Sequence, residues 1–150
     1  MREADLSLVY ENEQESHLQP WSLNTLRECV ASKYVCFVAI KNERIVGHII
    51  FSTVLDEGHL LNVCVSKGDQ SSGIGKQLID HGIDCLAKSG VTQVFLEVRR
   101  TNIKAICLYQ WLGFKQIGVR VGYYKGPASK EDALVFGLSP IVASGLEISW

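Results

Sequence analysis

Apolar positions along this chain recur with two periods, and the switches between them divide it into elements. Asp5 to Ser16 is polar with a short stripe of Leu6, Val9 and Tyr10, which predicts a helix. Ser22 has the side chain of an N-cap for a second helix through Arg27 to Ala31. Tyr34 to Ile40 is apolar on both faces, which predicts a strand interior to a sheet. Lys41 to Arg44 turns it back into Ile45 to Val54, and Asp56-Glu57-Gly58 turns again into His59 to Val65, giving three antiparallel strands. Ile74, Leu78, Ile79, Ile83 and Leu86 then mark a helix from Gly73 to Lys88 that stops at Ser89-Gly90. Val94 to Val98 follows as a strand, and a strand-helix-strand run of this kind makes a crossover to a parallel neighbour. Asn102 caps a short helix ending at Gly113, with Phe114 placed as its apolar clasp, and Lys115 to Val121 and Ala133 to Leu138 close the pattern as strands. The sum is α+β: a mixed, mostly antiparallel sheet with helices on both faces.

The loop between the third strand and the long helix is Gln70-Ser71-Ser72-Gly73-Ile74-Gly75. Its glycines permit close backbone approach, and the helix start behind it presents unpaired N–H groups and a positive dipole end, which suit a phosphate. A P-loop would need Ser or Thr after Gly75-Lys76, where Gln77 stands, and a Gly where Gln70 stands. A dinucleotide fingerprint would need Gly or Ala at position 78, which is Leu78. Both templates fail, and a Q/R-x-x-G-x-G/A signature fits.

Composition narrows the setting. At 150 residues the chain suits one domain, expected over 1–140 with a tail from Ile141 to Trp150. A formal charge of −1 argues against nucleic-acid binding by bulk electrostatics. No apolar run reaches membrane-span length and the N-terminus does not read as a signal peptide, so a cytoplasmic setting without membrane contact is expected. Five cysteines (Cys29, Cys36, Cys64, Cys85, Cys107), scattered through apolar segments without a C-x-x-C pair, read as buried reduced thiols. His17, His48, His59 and His81 show no metal-ligand spacing, so no metal is expected.

The loop signature resembles that of the GNAT superfamily of acyl-coenzyme A N-acyltransferases, and the element order matches as well. Pro20-Trp21-Ser22, Val54-Leu55-Asp56-Glu57, Leu96-Glu97-Val98-Arg99, Leu108-Tyr109, Leu112-Gly113-Phe114, Tyr123-Tyr124 and Glu131-Asp132-Ala133 fall in the order found in its RimI branch. That branch comprises bacterial enzymes acetylating the N-terminal alanine of a small-subunit ribosomal protein. The resemblance runs from Asp5 to Pro140 and implies a sheet whose central parallel strand pair is splayed. It also implies acetyl-coenzyme A as cosubstrate, with no metal, and the basic N-terminus of a ribosomal protein as partner. Three departures stand out: the family's opening strand is missing or very short, Ser71 replaces a basic loop residue, and the chain continues past the family's usual end.

Acyl transfer from a thioester to an amine needs a base for the amine, donors for the thioester oxygen and an acid for the departing thiolate. Glu97 sits alone among apolar neighbours on one strand face with Phe95 and Arg99. On sequence it reads equally as a base or as an ion-pair partner of Arg99 or Arg100; the resemblance, whose matching Glu takes the proton, favours the base. Tyr109 lies two helical turns from Asn102, on the same face. An isolated tyrosine there is more often core, but the resemblance assigns it the acid. The resemblance further implies Val63, Cys64 and Val65 as thioester and pantetheine contacts through their backbone, Ser71, Ser72, Gly73, Ile74, Gly75 and Lys76 as the pyrophosphate cradle, and Asn102 as a further cofactor contact. A solvated first-turn lysine is an equal reading of Lys76. For a basic peptide acceptor, Asp56, Glu57, Glu131 and Asp132 could supply acidic groups and Trp21, Tyr123 and Tyr124 walls, though turn carboxylates are usually just solvated. The alternatives are a GNAT enzyme for lysine side chains, polyamines or other small amines, and a non-catalytic acyl-coenzyme A sensor.

Overall fold

The computed structural model describes residues 1–125 and 129–143. Its elements are α1 (Leu6–Ser16), α2 (Leu23–Ala31), β1 (Val35–Lys41), β2 (Arg44–Val54), β3 (Glu57–Val65), α3 (Ile74–Lys88), β4 (Gln93–Arg99), α4 (Ile103–Trp111), β5 (Lys115–Lys125) and β6 (Lys130–Leu138). These strands form one sheet in the order β1-β2-β3-β4-β6-β5. Among the described residues only β3 and β4 pair in parallel; the other neighbours are antiparallel. The expected α+β class is the class observed.

Local chemistry places the boundaries. Ser22 Oγ accepts from the Thr25 N–H at 3.1 Å, capping α2. Asn42 and Glu43 both have positive φ (51° and 62°), as a two-residue type I′ turn requires between β1 and β2. α3 and α4 stop by the same device. Gly90 and Gly113 take the left-handed conformation, and the next N–H reaches back to Leu86 O and Tyr109 O, each at 3.0 Å. The apolar clasp follows: the Phe114 and Tyr109 rings meet at 5.8 Å.

Two apolar layers flank the sheet. Leu78, Ile79 and Leu86 of α3 pack on Ile49, Phe51, Leu60 and Leu96, with α4 on the same side through Tyr109. Leu6 and Val9 of α1 and Leu26 and Cys29 of α2 pack on Ile50 across the opposite face. This sandwich corrects one expectation: β1 is an edge strand, not an interior one. Its unbroken apolar run arises because Phe37 and Ala39 face α3 while Cys36 and Val38 face α1 and α2. No strand precedes α1; the Met1 amine donates to Cys36 O at 3.1 Å on the outer edge of β1. The second hairpin turn also moves. Leu55 and Asp56 form it, with Leu55 at φ 55°, and Glu57 and Gly58 already pair as strand. At the other end, Ile141 lies in the core and its N–H donates to Thr92 O at 2.9 Å, so the expected tail begins inside the fold. The rest of that tail from residue 144 lies outside the described residues.

One irregularity shapes the centre of the sheet. Phe51 pairs with Leu60 and Ile50 with Asn62, so Leu61 is an extra residue bulged out of β3. Pairing with β4 ends at Leu60–Leu96, immediately before the bulge. The slip also inverts the faces. Leu60 and Val63 both pack toward α3, whereas Asn62 reaches Glu13 on α1.

Close packing of α3 on β2 is set by Gly82, where an added Cβ would come within 2.2 Å of the Phe51 ring. Phe51 is fully buried and cannot retreat. Gly82→Ala should therefore destabilise the protein by about 1–3 kcal/mol through overpacking, against a gain of up to ~1 kcal/mol in helix propensity. Urea denaturation checks the net sign; a variant as stable as wild type would mean that the α3–β2 contact adjusts freely.

Candidate active site

Beyond Leu60 and Leu96 the two central strands have no partner in each other, and a cleft opens between them. It has two lobes of about 570 and 410 Å³ that share Ser16, His17, Val63, Asn102, Ala105 and Tyr109 as walls. The larger lobe adds Glu13, Trp21, Glu97 and Tyr124; the smaller adds Val65, Gln70, Ser71, Gly73, Gly75, Lys76 and Lys104.

Free backbone donors follow from strand phase. Ser66 N–H points at Val46 O of β2, so by alternation the amides of Val63 and Val65 point away from β2, into the cleft. Cys64 is one residue out of phase, and its amide faces β2; it does not offer the backbone contact expected of it. The loop supplies a second set. Ser71 (φ 64°) and Gly73 (φ 88°) turn the chain left-handed ahead of α3. The first helical bond runs from Gln77 N–H to Gly73 O, so the amides of Ile74, Gly75 and Lys76 have no acceptor inside the helix. That concavity suits an anion. The loop is anchored: Gln70 Nε2 donates to Val65 O at 3.0 Å, and the Ser72 hydroxyl bonds back to Asp69 O. Lys76 spends its charge on Asp80 at 2.6 Å and lies over the Trp111 ring at 5.3 Å.

Asp69 is the pivot under this loop. Its carboxylate takes the Ser66 hydroxyl at 2.6 Å and lies 3.4 Å from Lys41 Nζ and 3.3 Å from Arg44. The Ser66 hydrogen bond outweighs burial and, with the two cations, holds its pKa below the ordinary carboxylate value.

In the larger lobe Glu97 projects from β4 with its side chain about 11% exposed. Its partner is neither Arg99 nor Arg100. Arg99 pairs with Glu131 at 3.1 Å and Arg100 with Asp132 at 3.4 Å. Glu97 instead meets His59 Nε2 at 3.0 Å, a contact the sequence reading missed. Parallel register could have found it, since His59 pairs with Phe95 and shares a face with Glu97. Tyr109 lines both lobes from α4; burial raises its phenol pKa, so it stays protonated throughout the working range. Asn102 also lines both lobes, while its Oδ1 accepts from Ala105 N–H as the cap of α4. Tyr124 stands at the wall with Arg99 over its ring at 4.4 Å, and burial pushes its phenol up to about 12.

Three expected acceptor residues lie elsewhere. Asp56 and Glu57 sit at the opposite end of β3, where Asp56 accepts from Thr92, because the strands separate only beyond Leu60. Tyr123 points away from the cleft on β5, half exposed beneath Arg120. Glu131 is occupied by Arg99 and by the Thr101 N–H, and the Thr101 hydrogen bonds lower its pKa.

A carboxylate absent from the sequence reading sits at the back of the lobe. Glu13 of α1 is fully buried and accepts from Trp21 N–H at 2.9 Å and from Asn62 Nδ2 at 3.2 Å. Burial pushes its pKa up, but the His48 and His17 imidazoles and the Trp21 amide pull it below the usual value. It fixes the α1–α2 connection, and with it Trp21, against β3.

A cleft with free amides beside a half-buried carboxylate and a buried phenol has the shape and chemistry to take an anionic group on one side and an amine on the other. The model of the acetyltransferase (GNAT) family matches residues 4–114, and the chain belongs to that family. The chain is 38% identical over 134 residues to the [ribosomal protein bS18]-alanine N-acetyltransferase of Escherichia coli strain K12, covering 89% of this chain and 90% of that one. To the enzyme of that name from Haemophilus influenzae it is 39% identical over 132 residues, covering 87% and 90%. The crystal structure of the E. coli ribosomal-protein-S18-alanine N-acetyltransferase superposes with a TM-score of 0.89, at 36% identity, over 100% of this chain and 96% of that one. Acetyl-coenzyme A is the donor that this family uses.

The Asp69 anchor has a pH signature. A folded-state pKa below the unfolded value of about 3.9 contributes stability that is fully present above that value and lost as pH falls through the lower folded one. Asp69→Asn should therefore be less stable than wild type at neutral pH and show a flatter stability–pH curve below about pH 4. Urea midpoints measured in unit pH steps check this; parallel curves for the two proteins would remove the anchoring role.

Proposed function

We propose that this protein transfers the acetyl group of acetyl-coenzyme A to the α-amine of the N-terminal alanine of ribosomal protein bS18. The observation carrying the proposal is the gap between β3 and β4, which joins a lobe bordered by the glycine loop to a lobe holding Glu97, with Tyr109 lining both. Identity of 38–39% to enzymes with that activity supports the choice of acceptor.

The residues present suit the donor. The amides of Ser71 to Lys76 would hold its pyrophosphate, Val63 and Val65 its pantetheine arm and thioester, and Asn102 its continuation along α4. An α-ammonium titrates near ~8, so at neutral pH much of it must lose a proton before it can attack. Glu97 takes that proton, directly or through water, while His59 holds its carboxylate in one orientation. Tyr109 gives its proton as the sulfur departs. A thiol near ~8.5 is a stronger acid than a buried phenol, so this transfer runs uphill unless the thiolate is desolvated too, as it would be once bound donor and acceptor displace water from the cleft. Trp21 and Tyr124 flank the acceptor, and aromatic walls rather than paired turn carboxylates contact the residues after its alanine.

Intact mass spectrometry of peptides beginning Ala-Arg after reaction, beside lysine and polyamine controls, tests the acceptor. Acetylation confined to the N-terminal amine is expected; modification of the small amines alone would overturn the assignment. Glu97→Gln and Tyr109→Phe should each lower kcat about 10- to 100-fold while calorimetry shows coenzyme A binding unchanged. Wild-type turnover in both variants would remove the two roles.

A further inference from the structure

We propose that Glu13, His17 and Cys64 form a site for one zinc-class divalent cation, beside the buried imidazole of His48, which pins α1 and the start of the α1–α2 connection to β3. Two independent observations meet there. First, the ligand atoms of Glu13, His17 and Cys64 all lie within 4.8 Å of one another, and Glu13 Oε1 is 3.5 Å from His17 Nε2 and 3.4 Å from His48 Nε2. Tetrahedral zinc with bonds of 2.0–2.3 Å sets its ligand atoms roughly 3.3–3.8 Å apart, so Glu13, His17 and Cys64 close around such an ion with small side-chain movements and leave its fourth position to water. Second, His48 is fully buried, and neither of its ring nitrogens has a hydrogen-bond partner. At 3.4 Å from Glu13 the Nε2 is close enough to feel its charge, but the pair is not aligned as a hydrogen bond. An imidazole enclosed in this way marks a buried polar cluster whose partners are incomplete.

The tertiary fold assembles the set. His48 and Cys64 face each other across the β2–β3 ladder, and Glu13 and His17 are one turn apart at the end of α1. One thiolate, one imidazole and one carboxylate match zinc and its transition-metal neighbours, not magnesium or calcium. Outer contacts already orient the ligands: Asn62 Nδ2 and the Trp21 N–H both donate to Glu13. His17, with about a third of its side chain exposed at the cleft, gives the ion access. On binding, the Cys64 thiol releases its proton to solvent as the metal–sulfur bond forms.

Titration of the metal-stripped full chain with Zn²⁺, and with Co²⁺ as a spectroscopic probe, tests the site. One equivalent should bind, with a thiolate-to-cobalt absorption band and a raised unfolding temperature. Cys64→Ser should abolish the band, and His17→Ala, at a partly exposed position that tolerates change, should weaken affinity at least about tenfold. His81→Ala and Cys107→Ser should change nothing; His81 is the natural competitor, 3.6 Å from Cys85 on α3. Failure to bind one equivalent, absence of the band in wild type, unchanged affinity in His17→Ala, or loss of binding in His81→Ala would each overturn the proposal. Acetyl transfer is not read in any arm, so the outcome is independent of the proposed reaction.

Discussion

One extra residue in β3 governs what this molecule can do. Leu61 bulges from the ladder with β2, and parallel pairing with β4 stops at the residue before it. A continuous ladder would satisfy the amides of Val63 and Val65 with β4 carbonyls and leave no passage through the sheet. The bulge bends β3 away, leaves those donors unpaired, and admits Tyr109 and Asn102 of α4 to both sides of the opening. Free main-chain donors persist there because they border an open cleft instead of a dry core.

The same residue reverses the faces of β3. Without the slip, Asn62 would point into the apolar layer under α3, where its amide would find no partner. With it, Asn62 meets Glu13, and a buried carboxylate that would otherwise be costly acquires donors from β3 and from the α1–α2 connection, with two imidazoles within 3.5 Å. A polar assembly of this kind stabilises only when complete, and the unpartnered nitrogens of His48 mark where its partners are incomplete.

Both faces of the sheet being covered explains why strand order was not legible. β1 reads as interior because its side chains are sandwiched, although hydrogen bonding leaves it at the edge. Side-chain pattern reports burial above and below a strand; it carries no information on whether a neighbour lies beside it. Helix limits were far more legible. The Ser22 and Asn102 caps and the Gly90 and Gly113 stops act through bonds within a few residues, so their chemistry is written locally.

The sequence by itself determined the elements, the α+β class, the glycine loop ahead of α3 and the resemblance that singled out Glu97 and Tyr109. All of these follow from short-range periodicity, capping and glycine geometry, or from a local order of motifs. Only the tertiary structure decided that Glu97 answers to His59, that Arg99 and Arg100 are occupied by Glu131 and Asp132, and that Asp56, Glu57 and Tyr123 stand away from the cleft. It alone joined Glu13 and His17 with His48 and Cys64. Contacts between residues distant in the chain depend on strand register, and a single inserted residue resets register for everything after it.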